Sequence, residues 1–255
     1  MCLLILAHHS RADYPLIIAA NRDEFFDRPT RPLVFWPEHT DILAGRDLQA
    51  GGTWMGLHRN GRLAAITNFR EPARMRPEAP TRGHLVRDFI GGDDKAAIYL
   101  EKLNCHPRRY NGFNLIAGRV GALFYYGNRG AAPQPLEAGI HGLSNHLLDT
   151  PWPKVERAKR AMAAIVGQTG PPDPEDLLAF LEDRHQPPDA DLPQTGVGLE
   201  WERILGSVFI QSPTYGTRAS SVLIVAADGC TRFVERSFAP DGRSQTRQFE
   251  LQIPV

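Results

Sequence analysis

The chain opens with Met1-Cys2-Leu3-Leu4-Ile5-Leu6-Ala7, an apolar run that is typical of a buried strand. A second apolar run, over residues 16–20, follows a polar segment that contains Pro15, so the two runs predict a β-hairpin. Asn21-Arg22-Asp23-Glu24 comes directly after the second run. Because antiparallel strands run out and back, the end of the second strand lies beside the beginning of the first. We therefore expect these polar residues within reach of Cys2.

Cys2 is the candidate nucleophile. Removal of Met1, which is expected before a small residue, leaves Cys2 with a thiol and a free α-amine on one carbon. An α-amine titrates near pH ~7.7–8.0, so it can act as the base that activates its own thiol. The alternative is that Cys2 is a small buried hydrophobic residue, as most free cysteines are.

Composition limits the class of protein. The chain has 255 residues, of which 42% are hydrophobic and 23% charged, so it can bury a substantial core, and we expect one domain over residues 1–255. Lys and Arg number 29 and balance 29 Asp and Glu, so no bulk positive field recruits nucleic acid or an anionic membrane. Nucleic acid is therefore not expected as a partner.

Cysteine usage and the first apolar run indicate the compartment. Cys2, Cys105 and Cys230 lie far apart in the sequence, which argues against a disulfide framework or a zinc site and suits a reducing compartment. The first apolar run is too short to span a bilayer and lacks the basic region of a secretory signal. We expect a cytoplasmic protein without a transmembrane segment and without a metal site.

The order of the predicted elements indicates the fold class. Strands come first, helices occupy the middle and strands return, which does not match the alternation of a parallel sheet. The order fits an α+β fold of two antiparallel sheets whose outer faces are covered by helices. Strands are predicted over residues 2–7, 16–20, 51–57, 63–68, 113–117, 122–126, 207–211, 221–226 and 232–238, with an edge strand over 249–253, and helices over 81–90, 93–103, 152–166 and 174–181.

Three connecting segments have their own signals. Pro29, Pro32 and Pro37 predict an irregular excursion that is not a central strand. Asn60-Gly61 favours a type I′ hairpin turn. Residues 186–198 are rich in Pro, Asp and Gly and predict an exposed loop.

Further polar and aromatic residues are candidates for a site. Asn68 ends a predicted strand and Asn145 lies in a turn, where an amide can donate to a developing oxyanion or serve the turn itself. Arg218 can bind an acidic substrate group or act as a structural cation. Trp54, flanked by glycines, can form a pocket wall or pack into the core, and Phe69 is a second wall candidate.

The nine histidines show no metal-ligand spacing. One of them is able to ligate haem, but the spacing selects none. No cofactor is therefore required, and haem stays a possible ligand.

Together the motifs resemble the NRDE family, whose eukaryotic members are called transport and Golgi organisation protein 2. The resemblance rests on these motifs in order: Met1-Cys2, Asn21-Arg22-Asp23-Glu24, Gly45-Arg46-Asp47, Gly51-Gly52-Thr53-Trp54-Met55-Gly56, Thr67-Asn68-Phe69-Arg70, Leu143-Ser144-Asn145 and Tyr215-Gly216-Thr217-Arg218. That family is grouped with N-terminal nucleophile hydrolases, which implies a four-layer αββα sandwich.

The resemblance also implies roles. Cys2 would be the nucleophile, Arg22 and Asp23 its electrostatic partners, and Arg218 a further support. The oxyanion donors would be Asn68 and Asn145. In the distant relatives penicillin V acylase and bile-salt hydrolase the Arg and Asp are two residues apart, whereas here they adjoin, so Asn21 with Glu24 is an alternative alignment.

Two functions follow from different classes. The first is an amidohydrolase or acyltransferase in which Cys2 attacks a non-peptide C–N or thioester carbonyl of a small-molecule substrate. The second is a non-catalytic carrier that binds haem or an acyl lipid as a hydrophobic ligand. The haem hypothesis rests on the family resemblance alone.

Overall fold

A computed structural model of the chain describes residues 3–130 and 132–255, so the predicted nucleophile Cys2 lies outside the described residues, as do Met1 and Ala131. The strands are β1 (Leu3–His8), β2 (Leu16–Phe25), β3 (Thr30–Trp36), β4 (His39–Asp47), β5 (Met55–His58), β6 (Arg62–Asn68), β7 (Phe113–Arg119), β8 (Ala122–Gly127), β9 (Gln134–Pro135), β10 (Gly139–Leu143), β11 (Tyr215–Val225), β12 (Cys230–Phe238) and β13 (Ser244–Gln252). The helices are α1 (Gly83–Ile90), α2 (Ala96–Asn104), α3 (Pro153–Val166), α4 (Pro174–Leu181) and α5 (Leu199–Leu205), with 3₁₀ turns at Pro72–Arg74 and Asp189–Asp191.

The strands form two antiparallel sheets. The first has the order β10-β1-β2-β11-β12-β13, and the second has the order β3-β4-β5-β6-β7-β8-β9. Between them lies a core to which the first sheet contributes Leu6 and Ile18 and the second contributes Leu57 and Ile116. The two sheets therefore pack face to face.

Helices cover both outer faces. Val155 and Met162 of α3 pack on the outer side of the first sheet together with α4. Leu85 and Phe89 of α1, with Leu100 of α2, pack on the outer side of the second sheet. This arrangement of helix, sheet, sheet and helix confirms the predicted four-layer αββα architecture. Helices α3 and α4 match the predicted ranges closely, and Asp173 caps α4 by accepting from the backbone N–H of Glu175 at 2.9 Å.

The first hairpin is buried between other strands. Every residue of β1 is buried, and β1 lies between β10 and β2. Leu3 pairs with Asn21, as the predicted hairpin requires. β2 runs on to Phe25 instead of ending at residue 20, because β11 continues to pair with it and sets Thr217 opposite Asp23. The four polar residues therefore belong to the strand itself.

One predicted strand was wrong, and one segment predicted to be irregular contains a strand. Residues 207–211 do not form a strand of either sheet; they bury Val208 and Ile210 in an irregular, bent segment joined to β11 by an isolated bridge from Gln211. The proline-containing excursion does contain a strand, β3, but that strand lies at the edge of its sheet, as the prediction that it is not central requires, and register shifts after Arg31 and after Phe35 interrupt its pairing with β4. Apolar content alone did not show which of these two segments forms a strand of a sheet.

The turn between β5 and β6 also differs from the prediction. Gly61 has a positive φ of 85°, but Asn60 does not adopt the left-handed conformation that a type I′ turn requires. Instead the side-chain oxygen of Asn60 accepts from the backbone N–H of Arg62 at 3.1 Å. The connection is a three-residue loop stabilised by that side chain.

Among residues 3–130 and 132–255, no helix is both long enough and apolar enough to cross a membrane.

Candidate active site

Two of the four polar residues of β2 point to the helix-covered face of their sheet. The Asn21 side chain donates to the carbonyl of Leu181 at 2.8 Å and accepts from the hydroxyl of Ser220 at 2.6 Å. Asp23 shares this face by strand alternation, and the hydroxyl of Thr217 donates to its Oδ1 at 2.6 Å. Asn21 therefore has a structural role, since its amide ties β2 to α4 and β11.

Arg22 points the opposite way, into a cavity of about 100 Å³ between the sheets. Its guanidinium carbon lies 4.5 Å from the ring centroid of Trp54, and its Nη2 lies 3.8 Å from Oε2 of Glu24. The side chain is 4% exposed, and its Nη1 has no hydrogen-bond partner among the described residues. Burial lowers the pKa of Arg22 while Glu24 raises it, and a guanidinium stays charged in proteins. The cavity therefore contains a cation with donor capacity to spare.

A chain of charges holds the wall of this cavity. Glu24 Oε2 also lies 3.6 Å from Nε of Arg28, and Arg28 Nη2 donates to Oδ2 of Asp47 at 2.6 Å. Burial alone raises the pKa of Asp47, but hydrogen bonds from Arg28 and from the backbone N–H groups of Ala50 and Gln49 outweigh it and hold the pKa below its ordinary value. Asp47 therefore stays ionised and fixes Arg28.

The glycine-rich motif around Trp54 serves both packing and the cavity. A Cβ on Gly52 would lie 2.4 Å from the carbonyl carbon of Gly83, so the backbone at residue 52 approaches the start of α1 too closely for a side chain. The N–H of Thr53 donates to the carbonyl of Gly83 at 3.2 Å. The cavity is lined by Arg22, Glu24, Arg28, Asp47, Thr53, Trp54, Ile66, Asn68, Thr81, Arg82 and Gly83.

The two predicted oxyanion residues come together from different sheets. Asn145 follows β10, and its Nδ2 donates to the carbonyl of Asn68, the last residue of β6, at 3.0 Å. Arg70 orients Asn145, since its Nη2 donates to Asn145 Oδ1 at 3.1 Å and its N–H donates to the Asn145 carbonyl at 2.8 Å. One hydrogen of the Asn145 amide and the whole Asn68 amide are left without a partner in the part of the chain described here. Asn68 lines both the polar cavity and an apolar groove beside it, and Asn145 lines that groove, so both can donate to an oxygen placed where the two meet.

An apolar groove adjoins the polar cavity. Its volume is about 260 Å³, and it shares Asn68 and Arg82 with the polar cavity. Phe69 lies in its wall, as Trp54 lies in the wall of the polar cavity, and its ring contacts His146 at 4.9 Å between centroids. The groove is lined by Phe25, Asn68, Phe69, Arg70, Glu71, Pro72, Met75, Arg82, Asn145, Val197, Trp201, Leu205 and Tyr215.

Arg218 lies outside both cavities. Its Nη1 donates to the carbonyls of Phe25 at 2.9 Å, Phe26 at 3.2 Å and Arg28 at 3.1 Å. Of the two roles that the sequence leaves open, the geometry matches the structural cation. Arg218 therefore affects the polar cavity only by holding the turn that carries Arg28.

Sequence reasoning did not identify Arg82 or the pair Arg70–Glu202. Arg82 occupies the N-cap position of α1, where a cation opposes the helix dipole, and its Nη1 donates to the carbonyl of Gly112 at 3.0 Å. An arginine at the start of a predicted helix, where the dipole disfavours a cation, was therefore a signal in the sequence that could have pointed to Arg82. Arg70 Nη1 donates to Oε2 of Glu202 at 2.8 Å, but Glu202 lies in a helix that was not predicted.

Cys2 is bonded to Leu3, whose backbone pairs with Asn21, and Arg22 is the next residue along β2. β1 therefore begins beside the part of β2 whose Arg22 and Glu24 side chains line the polar cavity. Elsewhere in the described parts of the chain, no group of three or more His, Cys, Asp or Glu side chains is placed to hold a metal ion.

A solved structure has a similar fold. The Caenorhabditis elegans N-acylethanolamine-hydrolyzing acid amidase ortholog superposes with a TM-score of 0.54 at 12% identity, over 88% of this chain and 92% of that one. At this identity the likeness shows the fold alone, which is N-terminal nucleophile hydrolase-like.

Sequence comparison gives closer matches. The family model described as Transport and Golgi organisation 2 matches residues 1–240. The Bos taurus Transport and Golgi organization protein 2 homolog is 40% identical over 268 residues, which cover 95% of each chain. The Homo sapiens homolog is 37% identical, over 96% of this chain and 95% of its own. These matches, together with the fold, show that the chain belongs to the transport and Golgi organisation 2 family.

Proposed function

We propose that the chain is an N-terminal cysteine amidohydrolase or acyltransferase that acts on a non-peptide C–N or thioester bond. The observation that carries the proposal is the buried guanidinium of Arg22, which faces the polar cavity and has one donor that no described residue accepts from. A buried cation without full hydrogen bonding is costly, and such costs are concentrated at functional sites. A thiolate is an anion that this cation would stabilise.

The proposed reaction combines the thiol and α-amine of Cys2 with the amides of Asn68 and Asn145. The α-amine of Cys2 takes the thiol proton, and the sulfur forms a bond to the substrate carbonyl carbon. The carbonyl oxygen becomes an oxyanion that accepts from the amides of Asn68 and Asn145. Collapse breaks the C–N or C–S bond, and the α-amine returns the proton to the leaving group. Water or an acceptor then releases the acyl group from sulfur.

The apolar groove supports an acyl group as the part of the substrate that is retained. It meets the polar cavity at Asn68, so a carbonyl placed at that amide would have an apolar chain directed along Phe69 and Trp201. Burial of apolar surface would position such a chain without further charge pairing. We propose an amide or thioester of an apolar acid as the substrate class.

A long-chain β-lactone tests the chemistry, because a nucleophilic thiol opens the lactone and keeps the acyl group. Intact mass should show that Met1 is absent and that one lactone is added, and peptide mapping should place it on Cys2. Cys2→Ala should abolish the addition. The matched controls are Cys105→Ala and Cys230→Ala, since both of those thiols are free and exposed.

Two results would contradict the proposal. Retention of Met1 in the mature protein blocks the amine that serves as the base. Addition of the lactone to Cys105 or Cys230, with none on Cys2, shows ordinary surface reactivity.

The groove also favours a second candidate, a carrier that holds a hydrophobic ligand without turnover. In that case an acyl lipid or haem occupies the same groove, and Cys2→Ala leaves ligand binding intact. A haem titration tests the haem form of this candidate. His146→Ala should remove the Soret shift, because His146 contacts the groove residue Phe69, and no Soret shift in the unmodified protein would contradict it.

A further inference from the structure

Exposed apolar side chains gather at the mouth of the apolar groove. Phe25, Met75 and Trp201 line the groove and are 47%, 51% and 38% exposed. The ring of Tyr215 contacts those of Phe25 and Trp201 at 5.1 and 5.8 Å between centroids. A contiguous exposed apolar patch of this kind marks an interaction surface.

A cluster of arginines lies beside this patch. The 3₁₀ turn Pro72–Arg74 separates the two: Pro72 and Met75 line the groove, whereas Arg74 and Arg76 line a depression on the surface. The exposed arginines of the cluster are Arg74, Arg76, Arg108 and Arg109.

Hydrogen bonds hold the two arginine-bearing loops together. Arg76 Nη2 donates to the carbonyls of Arg108 at 2.5 Å and Arg109 at 3.2 Å. The amide of Asn111 donates to the carbonyl of Arg76 and accepts from its N–H, both at 2.9 Å. The positive charges are therefore kept on one face although they come from distant parts of the sequence.

Acidic residues do not cancel this charge. Glu71 is engaged by Arg129 at 2.8 and 2.9 Å, so that pair is neutral by itself. Glu78, near Arg76, and Glu200, beside Trp201, are exposed acids of the same region. The arginines of the cluster outnumber them, so the face is locally positive although the whole chain is neutral.

We propose that this face, the docking face, binds the surface of a bilayer that contains anionic phospholipid. Met75, Trp201 and Phe25 would enter the interfacial region, where amphipathic aromatic and flexible apolar side chains are favoured. The arginines would contact headgroup phosphates. The groove then opens toward the lipid, so an apolar ligand passes between bilayer and groove without crossing water. This inference holds whether Cys2 acts as a nucleophile or the groove only carries a ligand.

Vesicle flotation tests the docking face. The full chain should float with vesicles of phosphatidylcholine and phosphatidylserine and not with pure phosphatidylcholine, and higher salt should release it. Trp201 emission should shift to shorter wavelength on binding. Trp201→Phe identifies that signal among the four tryptophans.

Paired variants separate charge from apolar insertion. Arg74→Gln with Arg108→Gln should weaken binding about 25-fold, at about fivefold for each charge removed. Both side chains are exposed, and neither makes a side-chain hydrogen bond within the described residues, so folding is preserved. The double control Arg59→Gln with Arg243→Gln removes equal charge elsewhere and should leave binding unchanged.

Met75→Ser should weaken binding severalfold, because it removes an inserted apolar side chain. Ile98→Ser, at 53% exposure on α2, is its matched control and should have no effect.

Equal binding to both vesicle types would overturn the proposal. Loss on the arginine variants with no loss on Met75→Ser and no emission shift would also overturn it, in favour of a polyanion such as RNA. Reaction of Cys2 with a dispersed lactone is measured without vesicles, so failure of docking is distinguishable from failure of the chemistry.

Discussion

Arg22 is a cation buried between two sheets at a point where the chain gains no obvious stability from it. Its ion pair with Glu24 is long, at 3.8 Å, and its contact with the Trp54 ring offsets part of the desolvation. A desolvated cation–π contact is worth about 2 kcal/mol, whereas the penalty for burying a charge is several kcal/mol. The difference is typical of a residue that is kept for chemistry.

Arg22→Gln should raise the pH at which Cys2 reacts with the lactone. An opposite charge nearby lowers the pKa of an acidic group by about 1–3 units, so removal of the guanidinium should move the midpoint upward by about one unit. The reaction should therefore slow most at neutral pH and recover at higher pH. The measurement is the pH profile of the acylation rate by intact mass.

The matched control for this prediction is Arg243→Gln. Arg243 lies in the exposed turn between β12 and β13 and pairs with Asp241 at 2.6 Å. Its removal changes the net charge equally and should leave the midpoint unchanged. An unchanged midpoint in Arg22→Gln as well would show that Arg22 does not act on the thiol.

At the scale of elements, β4 supports the cavity by leaving room for an indole. A Cβ on Gly45 would lie 2.4 Å from the Cη2 and Cζ2 atoms of Trp54. Gly45 is required because the Trp54 indole lies too close to leave room for a side chain. The φ of Gly45 is not in the left-handed region, so backbone conformation is not the reason. Trp54 in turn stacks on Arg22, so the glycine of β4 sets the position of the buried cation.

Gly45→Ala should lower the free energy of unfolding by about 1–3 kcal/mol, because the added methyl overpacks the indole. It should also slow lactone addition, because Trp54 is displaced into the polar cavity. Urea unfolding and the acylation rate measure the two effects. Gly167→Ala, after α3, is the control: its nearest neighbouring atom would be 3.4 Å away, and its stability should change by less than about 0.5 kcal/mol. Equal effects at both positions would contradict the role of Gly45.

At the scale of the whole molecule, the site forms where three layers meet. Asn68 comes from the second sheet and Asn145 follows the edge strand of the first, while α5 closes the groove with Trp201. Arg70 links these parts through Asn145 and Glu202. Glu202 also accepts from the N–H and hydroxyl of Thr195 at 2.7 and 2.6 Å.

Glu202→Gln should destabilise the protein by about 3 kcal/mol, because it leaves Arg70 as a buried charge without its carboxylate. Denaturant unfolding measures the loss, and hydrogen exchange should show faster opening of α5. Asp189→Asn is the matched control, since Asp189, in the 3₁₀ turn before α5, pairs with Arg203 of that helix at 2.5 Å where both side chains are about half exposed. That loss should stay below about 1 kcal/mol. Similar losses for both variants would contradict a central role for the buried pair.

Local patterns in the sequence predicted much of the fold. The apolar run from Leu3 and the run from Leu16 gave the central hairpin, because strands buried on both faces need continuous apolar residues. Val155, Ala158 and Met162 recur at helical spacing, and this spacing predicted α3 because a helix that covers a sheet buries one apolar stripe. The motif resemblance identified the family, and so the layered architecture.

The tertiary structure decided how the site is divided. Sequence order set Arg22 next to Asp23, but strand alternation sends their side chains to opposite faces, so one lines the cavity and the other does not. The contact of Asn145 with Asn68, the pair Arg70–Glu202 and the meeting of the arginine loops join residues far apart in the chain. Such contacts depend on how sheets and loops pack in space, and no local propensity encodes them.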